Sequence, residues 1–118
     1  MTDYNFKDGF VYEGSKELGR GKRIGNVKEG FIYDGWSYLG SGNIVGNTKE
    51  GWIFDGWSYL GSGKRLGNVK DGKVYNGTSY LGSGNQIGSV DDFTINGIER
   101  EKDETIIAVY HFLIKKIF

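Results

Sequence analysis

Glycine recurs in this chain on a lattice 21 residues long, and the lattice restricts the fold more than any other feature. Twenty of the 21 glycines obey it, in four tandem units spanning 9–29, 30–50, 51–71 and 72–92. Each unit carries glycine at its first, sixth, eleventh, thirteenth and seventeenth positions, and only Gly97 falls outside. A unit this short cannot bury an apolar face alone, so neighbouring units must complete one another's core. Glycine at this density also suits disorder. Here the aromatic and aliphatic residues hold fixed columns, which disordered linkers lack.

Three breaks punctuate each unit. Acidic-Gly steps join successive units at Asp8-Gly9, Glu29-Gly30, Glu50-Gly51 and Asp71-Gly72. A second set, Glu13-Gly14, Asp34-Gly35, Asp55-Gly56 and Asn76-Gly77, lies inside the units. Such pairs supply the positive φ that tight hairpins need. The third break is Gly40-Ser41-Gly42-Asn43 and its equivalents. Three extended runs per unit are expected between the breaks, as in Phe31–Tyr33, Trp36–Leu39 and Ile44–Lys49. Their columns are β-branched, aromatic or aliphatic: Val11/Ile32/Ile53/Val74, Tyr12/Tyr33/Phe54/Tyr75, Leu18/Leu39/Leu60/Leu81, Ile24/Val45/Leu66/Ile87 and Val27/Thr48/Val69/Val90. Side chains of this kind suit a pleated, half-buried surface, and no helical spacing occurs within the units. Gly25, Gly46, Gly67 and Gly88 interrupt the alternation, marking a bulge or a close backbone approach.

The ends read as a split fifth unit. Asn5–Asp8 matches the end of a unit and Phe93–Gly97 the beginning of one. Because open sheet edges invite aggregation, the expected fold for residues 1–98 is an all-β, closed, pseudo-symmetric array of short antiparallel strands. An open solenoid with two caps is the alternative. Residues 99–118 differ in kind: acids at the front, an apolar run over Thr105–Ile114 and lysines at the back suit a short helix. The β-branched Ile106, Ile107 and Val109 would also suit a strand. An apolar run of this length falls short of the ~20 residues that span a bilayer. It either plugs one face of the array or serves as a contact element for a protein partner or a second copy.

Composition removes several function classes. Fifteen basic residues balance 15 acidic ones, whereas nucleic acid requires clustered, uncompensated cations. No cysteine is present, which excludes disulfides, thiolate metal sites and thiol nucleophiles. The first residues show no basic-then-apolar leader, so a cytoplasmic protein is expected. His111 is the lone histidine and sits in the apolar tail, where packing is a more natural role than base catalysis. The acidic columns fall at turns and lack the alternation of calcium loops. Neither an enzyme, a metal site nor a cofactor is expected.

The cadence Tyr12-Glu13-Gly14 followed by Gly21-Lys-Arg-Ile-Gly-Asn-Val-Lys-Glu-Gly30 resembles bacterial β-flower proteins. That resemblance extends to the aliphatic and phenylalanine-bearing tail Ile106–Phe118. It implies short Gly-rich β repeats of four- or five-fold pseudo-symmetry and no established activity. This chain departs from it in its longer unit, with Trp-Ser-Tyr-Leu inserted between turns. A looser similarity, carried by Trp36–Leu39 and Trp57–Leu60, is to choline-binding or cell-wall-binding repeats. The first and fourth units break it with Ser15 and Thr78 in place of tryptophan.

Two function classes follow. One is a structural or protein-interaction module that displays loop residues and the tail. The other is a small-ligand, glycan or choline-type binder built on aromatic stations. For both, the candidate contact residues are Trp36, Tyr38, Trp52, Trp57, Tyr59 and Tyr80, since tryptophan and tyrosine are favoured binding anchors.

Overall fold

A computed structural model describes residues 2–118. Nine strands form one antiparallel meander in strict chain order. They are β1 (Tyr4–Lys7), β2 (Phe10–Glu13), β3 (Lys22–Lys28), β4 (Phe31–Tyr33), β5 (Ile44–Lys49), β6 (Trp52–Phe54), β7 (Arg65–Lys70), β8 (Lys73–Tyr75) and β9 (Gln86–Ser89). A single turn of 3-10 helix follows at Val90–Phe93, and then α1 (Asp103–Val109). Beyond α1 the chain relaxes into one wider π-type turn over Tyr110–Ile114.

Each unit supplies two strands, not three. The acidic-Gly steps between units make the tight turns expected of them: Glu29 and Gly30 both take positive φ, at 51° and 86°. This conformation twists a two-residue hairpin with the right hand. The inner steps behave otherwise. Neither Asp34 nor Gly35 has positive φ, and Trp36–Leu39 is not a strand but part of a loop running from β4 to β5. Leu39, Leu60 and Leu81 are therefore not core residues; they are 38–39% exposed. Each lies against the turn glycine of the unit before, Leu39 on Gly9, Leu60 on Gly30 and Leu81 on Gly51.

The glycine column marks both a bulge and a close approach. Val11 pairs with Gly25 but Tyr12 with Arg23, which leaves Ile24 as the extra residue. The same slip leaves out Val45, Leu66 and Ile87 in the later units. Val11, Ile32, Ile53 and Val74 point inward and are fully buried. Against this face α1 packs Ile106, Ile107, Ala108 and Val109, all buried. Of the two roles open to the tail, the structure shows it covering the sheet. Each glycine of the bulge column then receives one apolar side chain: Leu113 over Gly25, Phe112 over Gly46, Phe118 over Gly67 and Phe93 over Gly88. A Cβ on Gly46 or Gly67 would overlap the phenylalanine ring seated there.

The closed array is not what the sheet forms. No ladder joins β9 to β1. A single parallel bridge pairs Asn5 with Asn96, and the Phe6 amide donates to the Asn96 carbonyl at 2.8 Å. The physical reason is local. Residues 90–93 turn into a 3-10 helix, stapled by the Asp92 carboxylate accepting from the Ser89 amide at 2.9 Å. This turns the chain away before Phe93–Gly97 can extend as a full strand.

Candidate functional site

The loops between paired strands carry most of the aromatic residues singled out above, and a buried asparagine fixes each loop. Asn47 is fully buried. Its amide donates to the Gly56 carbonyl at 2.9 Å and the Ser62 carbonyl at 3.2 Å, while its Oδ1 accepts from the Gly61 amide at 2.8 Å. Asn26 does the same for the loop of 35–41, Asn68 for that of 77–83 and Asn5 for that of 15–20. Each loop is therefore held by the unit before it. The neck is closed separately: the Asp34 carboxylate accepts from the Asn43 amide at 2.7 Å, and Asp55 and Asn76 repeat the bond. Residues read as turn formers inside the unit thus serve as loop clasps. Among the described residues, every buried side-chain polar atom has a partner.

Held this way, the loop tips project aromatic rings into solvent. Trp36 is 67% exposed and Trp57 70%, and Tyr38, Tyr59 and Tyr80 are each exposed by two thirds. Trp52 belongs elsewhere. It is buried on β6 beneath the Arg65 guanidinium, which stands 3.9 Å from its ring. The five exposed rings share three successive loops, and Trp52 is not among them.

Two of these tips form clefts with the preceding unit. Trp36 faces Tyr12, Lys22 and Arg23 across a cleft of about 530 Å3. Trp57 faces Tyr33, Asn43 and Ile44 across one of about 440 Å3. The two are the same place in successive units. Arg23 is poised at the first: its guanidinium lies 3.8 Å from the Phe10 ring, with Nε donating to the Tyr12 hydroxyl at 3.3 Å and Nη1 to the Trp36 carbonyl at 3.2 Å. Tyr12 and Tyr33 read as members of an apolar column, and Asn26, Asn47 and Asn68 as ordinary members of their extended runs. Asparagine at one register of three units, beside apolar columns, was the available signal for its burial.

Titratable chemistry is sparse. His111 is buried in the tail, and its Nδ1 accepts from the amides of Ile117 and Phe118 at 3.0 and 3.3 Å. Burial, with Lys116 as the lesser cause, holds its pKa below the ordinary histidine value. The ring is thereby committed to hooking the C-terminus. Among the described residues no cluster of three metal-ligating side chains occurs, and no helix is long and apolar enough to cross a membrane. Compared with protein-family models, curated proteins and solved structures, the chain matches none.

Proposed function

We propose that this chain is a non-enzymatic interaction module whose contact surface is the row of aromatic loop tips. The observation that carries the reading is the exposure of Trp36 and Trp57, at 67% and 70%, on loops that buried asparagines hold rigid. Large rings kept in water on ordered loops lose little conformational freedom on binding and bury much apolar area, which makes them effective anchors. A protein partner fits the adjoining Tyr38, Tyr59, Tyr80 and half-exposed leucines. The tail is occupied with the sheet, so a partner or a second copy would meet the loops rather than the tail. The resemblance to β-flower proteins bears on the fold alone, and the bridge between Asn5 and Asn96 ties the two ends of the array together without closing the sheet.

The test compares immobilised protein with its Trp36→Ala/Trp57→Ala variant, both checked for identical melting. Partners held by the first and lost by the second support the reading. Identical retention by both would overturn it. A second reading, a small-ligand or glycan binder, is favoured by one further observation: each exposed tryptophan shares a cleft with a tyrosine of the preceding unit.

A further inference from the structure

The two tryptophan clefts repeat in place but differ in charge. The first is lined by Tyr12, Trp36, Lys22 and Arg23, and no acidic side chain lines it. The second, with Tyr33, Trp57, Asn43 and Ile44, carries no charge at all. Glu13 lies opposite Lys22 on the neighbouring strand but is engaged by the Tyr4 hydroxyl at 3.4 Å. Among the described residues the only ion pair joins Arg20 to Glu17, so Lys22 and Arg23 keep their charge uncompensated by direct pairing. Arg23 spends two of its five N–H groups on Tyr12 and Trp36, leaving three to donate outward. Its stacking on Phe10 and its bond to the Trp36 backbone fix the guanidinium beside the ring before any ligand arrives.

This charge decides between ligand classes. A quaternary ammonium needs an aromatic cage free of cations, and the first cleft holds two. A carboxylate suits it, since arginine binds that group in a planar, two-bonded geometry. Each unit adds two strands, so the clefts lie roughly 10 Å apart at the level of the sheet, twice the strand spacing. That separation is near the length of a disaccharide, and sugar rings present apolar faces that lie flat on indole. We propose that the paired clefts bind a linear glycan in which carboxylated rings alternate with uncharged ones. One carboxylated ring stacks on Trp36 with its acid on Arg23 and Lys22, and the next carboxylated ring, two sugars further on, stacks its apolar face on Trp57 with its acid left in water. The proposal rests on the second reading above; its failure leaves the protein-partner reading standing.

Tryptophan fluorescence and calorimetry on the full chain test it, with a hyaluronan octasaccharide as the probe. A chitin octasaccharide of uncharged rings and a ten-residue thymidine oligonucleotide serve as comparisons. The expected result is saturable quenching by hyaluronan, at least about tenfold tighter than by chitin, because a charge-assisted bond is lost with the acid. Lys22→Gln, at an exposed site, should weaken hyaluronan binding and leave chitin unaffected. Trp57→Ala should weaken both about tenfold while melting stays unchanged. Arg23→Gln also tests the charge, but it frees the Trp36 loop, so Lys22→Gln is the variant that decides. Equal affinity for the two glycans, a preference for the oligonucleotide, or no quenching by hyaluronan would each overturn the proposal. If hyaluronan fails while the Trp36→Ala/Trp57→Ala comparison still loses a protein partner, the first reading survives alone.

Discussion

Replacing Asn47 by alanine removes the clasp of the third unit's loop without touching that loop's sequence. Three bonds vanish together, leaving the Gly56 and Ser62 carbonyls and the Gly61 amide without their partner. The buried site offers no water path while the loop stays seated. Each stranded backbone group costs about 1–3 kcal/mol, and partial opening of the loop to solvent relieves some of this. A total of about 3–5 kcal/mol is expected, a large share of the ~5–15 kcal/mol that holds a domain together. In thermal unfolding followed by circular dichroism, that corresponds to a fall in Tm of roughly 12–20 °C for a chain of this size. Asn43→Ala is the matched control: Asn43 is exposed, and its side chain makes no hydrogen bond. It should shift Tm by no more than about 2 °C. Asn47→Asp should be at least as damaging as alanine, since a carboxylate would face two carbonyl oxygens. If Asn47→Ala melts within a few degrees of Asn43→Ala, the loops are not held from the unit before, and the account of rigid aromatic tips fails with it.

Gly67→Ala should displace the Phe118 ring and cost about 2–3 kcal/mol, while Phe118→Ala should cost a similar amount by emptying the seat. Denaturant unfolding of both variants and the double variant should show a sum well short of additive; full additivity would mean ring and glycine are independent. Stability should also fall with acid in a window set by His111, whose folded pKa lies below the ordinary value of 6.5. Below that value the unfolded chain takes the proton first, so it binds more protons than the folded chain and loses the competition less. The contribution of the hook is therefore whole above pH 6.5 and declines as pH falls through the folded pKa. His111→Phe, which cannot accept the two amides, should be less stable at neutral pH and flatter across this window in urea titrations. Deleting residues 1–8 removes Asn5 and the bridge to Asn96, freeing both ends of the array; cooperative unfolding should weaken sharply, and near-neutral behaviour would show that β1 is ornamental to the sheet.

The glycine lattice made much of the architecture legible. The inter-unit hairpins followed from acidic-Gly pairs, because only such residues accept positive φ at both central positions at low cost. The bulge column was visible as a glycine breaking an alternation of apolar residues. Trp36–Leu39 has the composition of a strand, whereas its conformation is decided by Asn26, which captures the loop from another unit. Local propensity carries no trace of a bond made across 9 to 15 residues. The seam was half legible: the matching end fragments meet at Asn96, yet the 3-10 turn after Ser89 stops them from forming a ladder. Tyr12 and Tyr33 share a column with the buried Phe54, and nothing in that column reveals that a tryptophan of the next unit would face two of its members. The charge difference between the clefts lay in the sequence as Arg23 against Ile44, but it gained meaning only when those residues were found beside the exposed rings.

Four glycines and four apolar side chains meet one to one, three of those side chains from the last seven residues. The tail is thus a gauge of array length. Inserting or deleting one unit by recombination would leave a glycine without a ring, or a ring without a glycine. Tandem repeats ordinarily drift in copy number. This chain carries, at its far end, a template that tallies its own repeats and penalises any miscount.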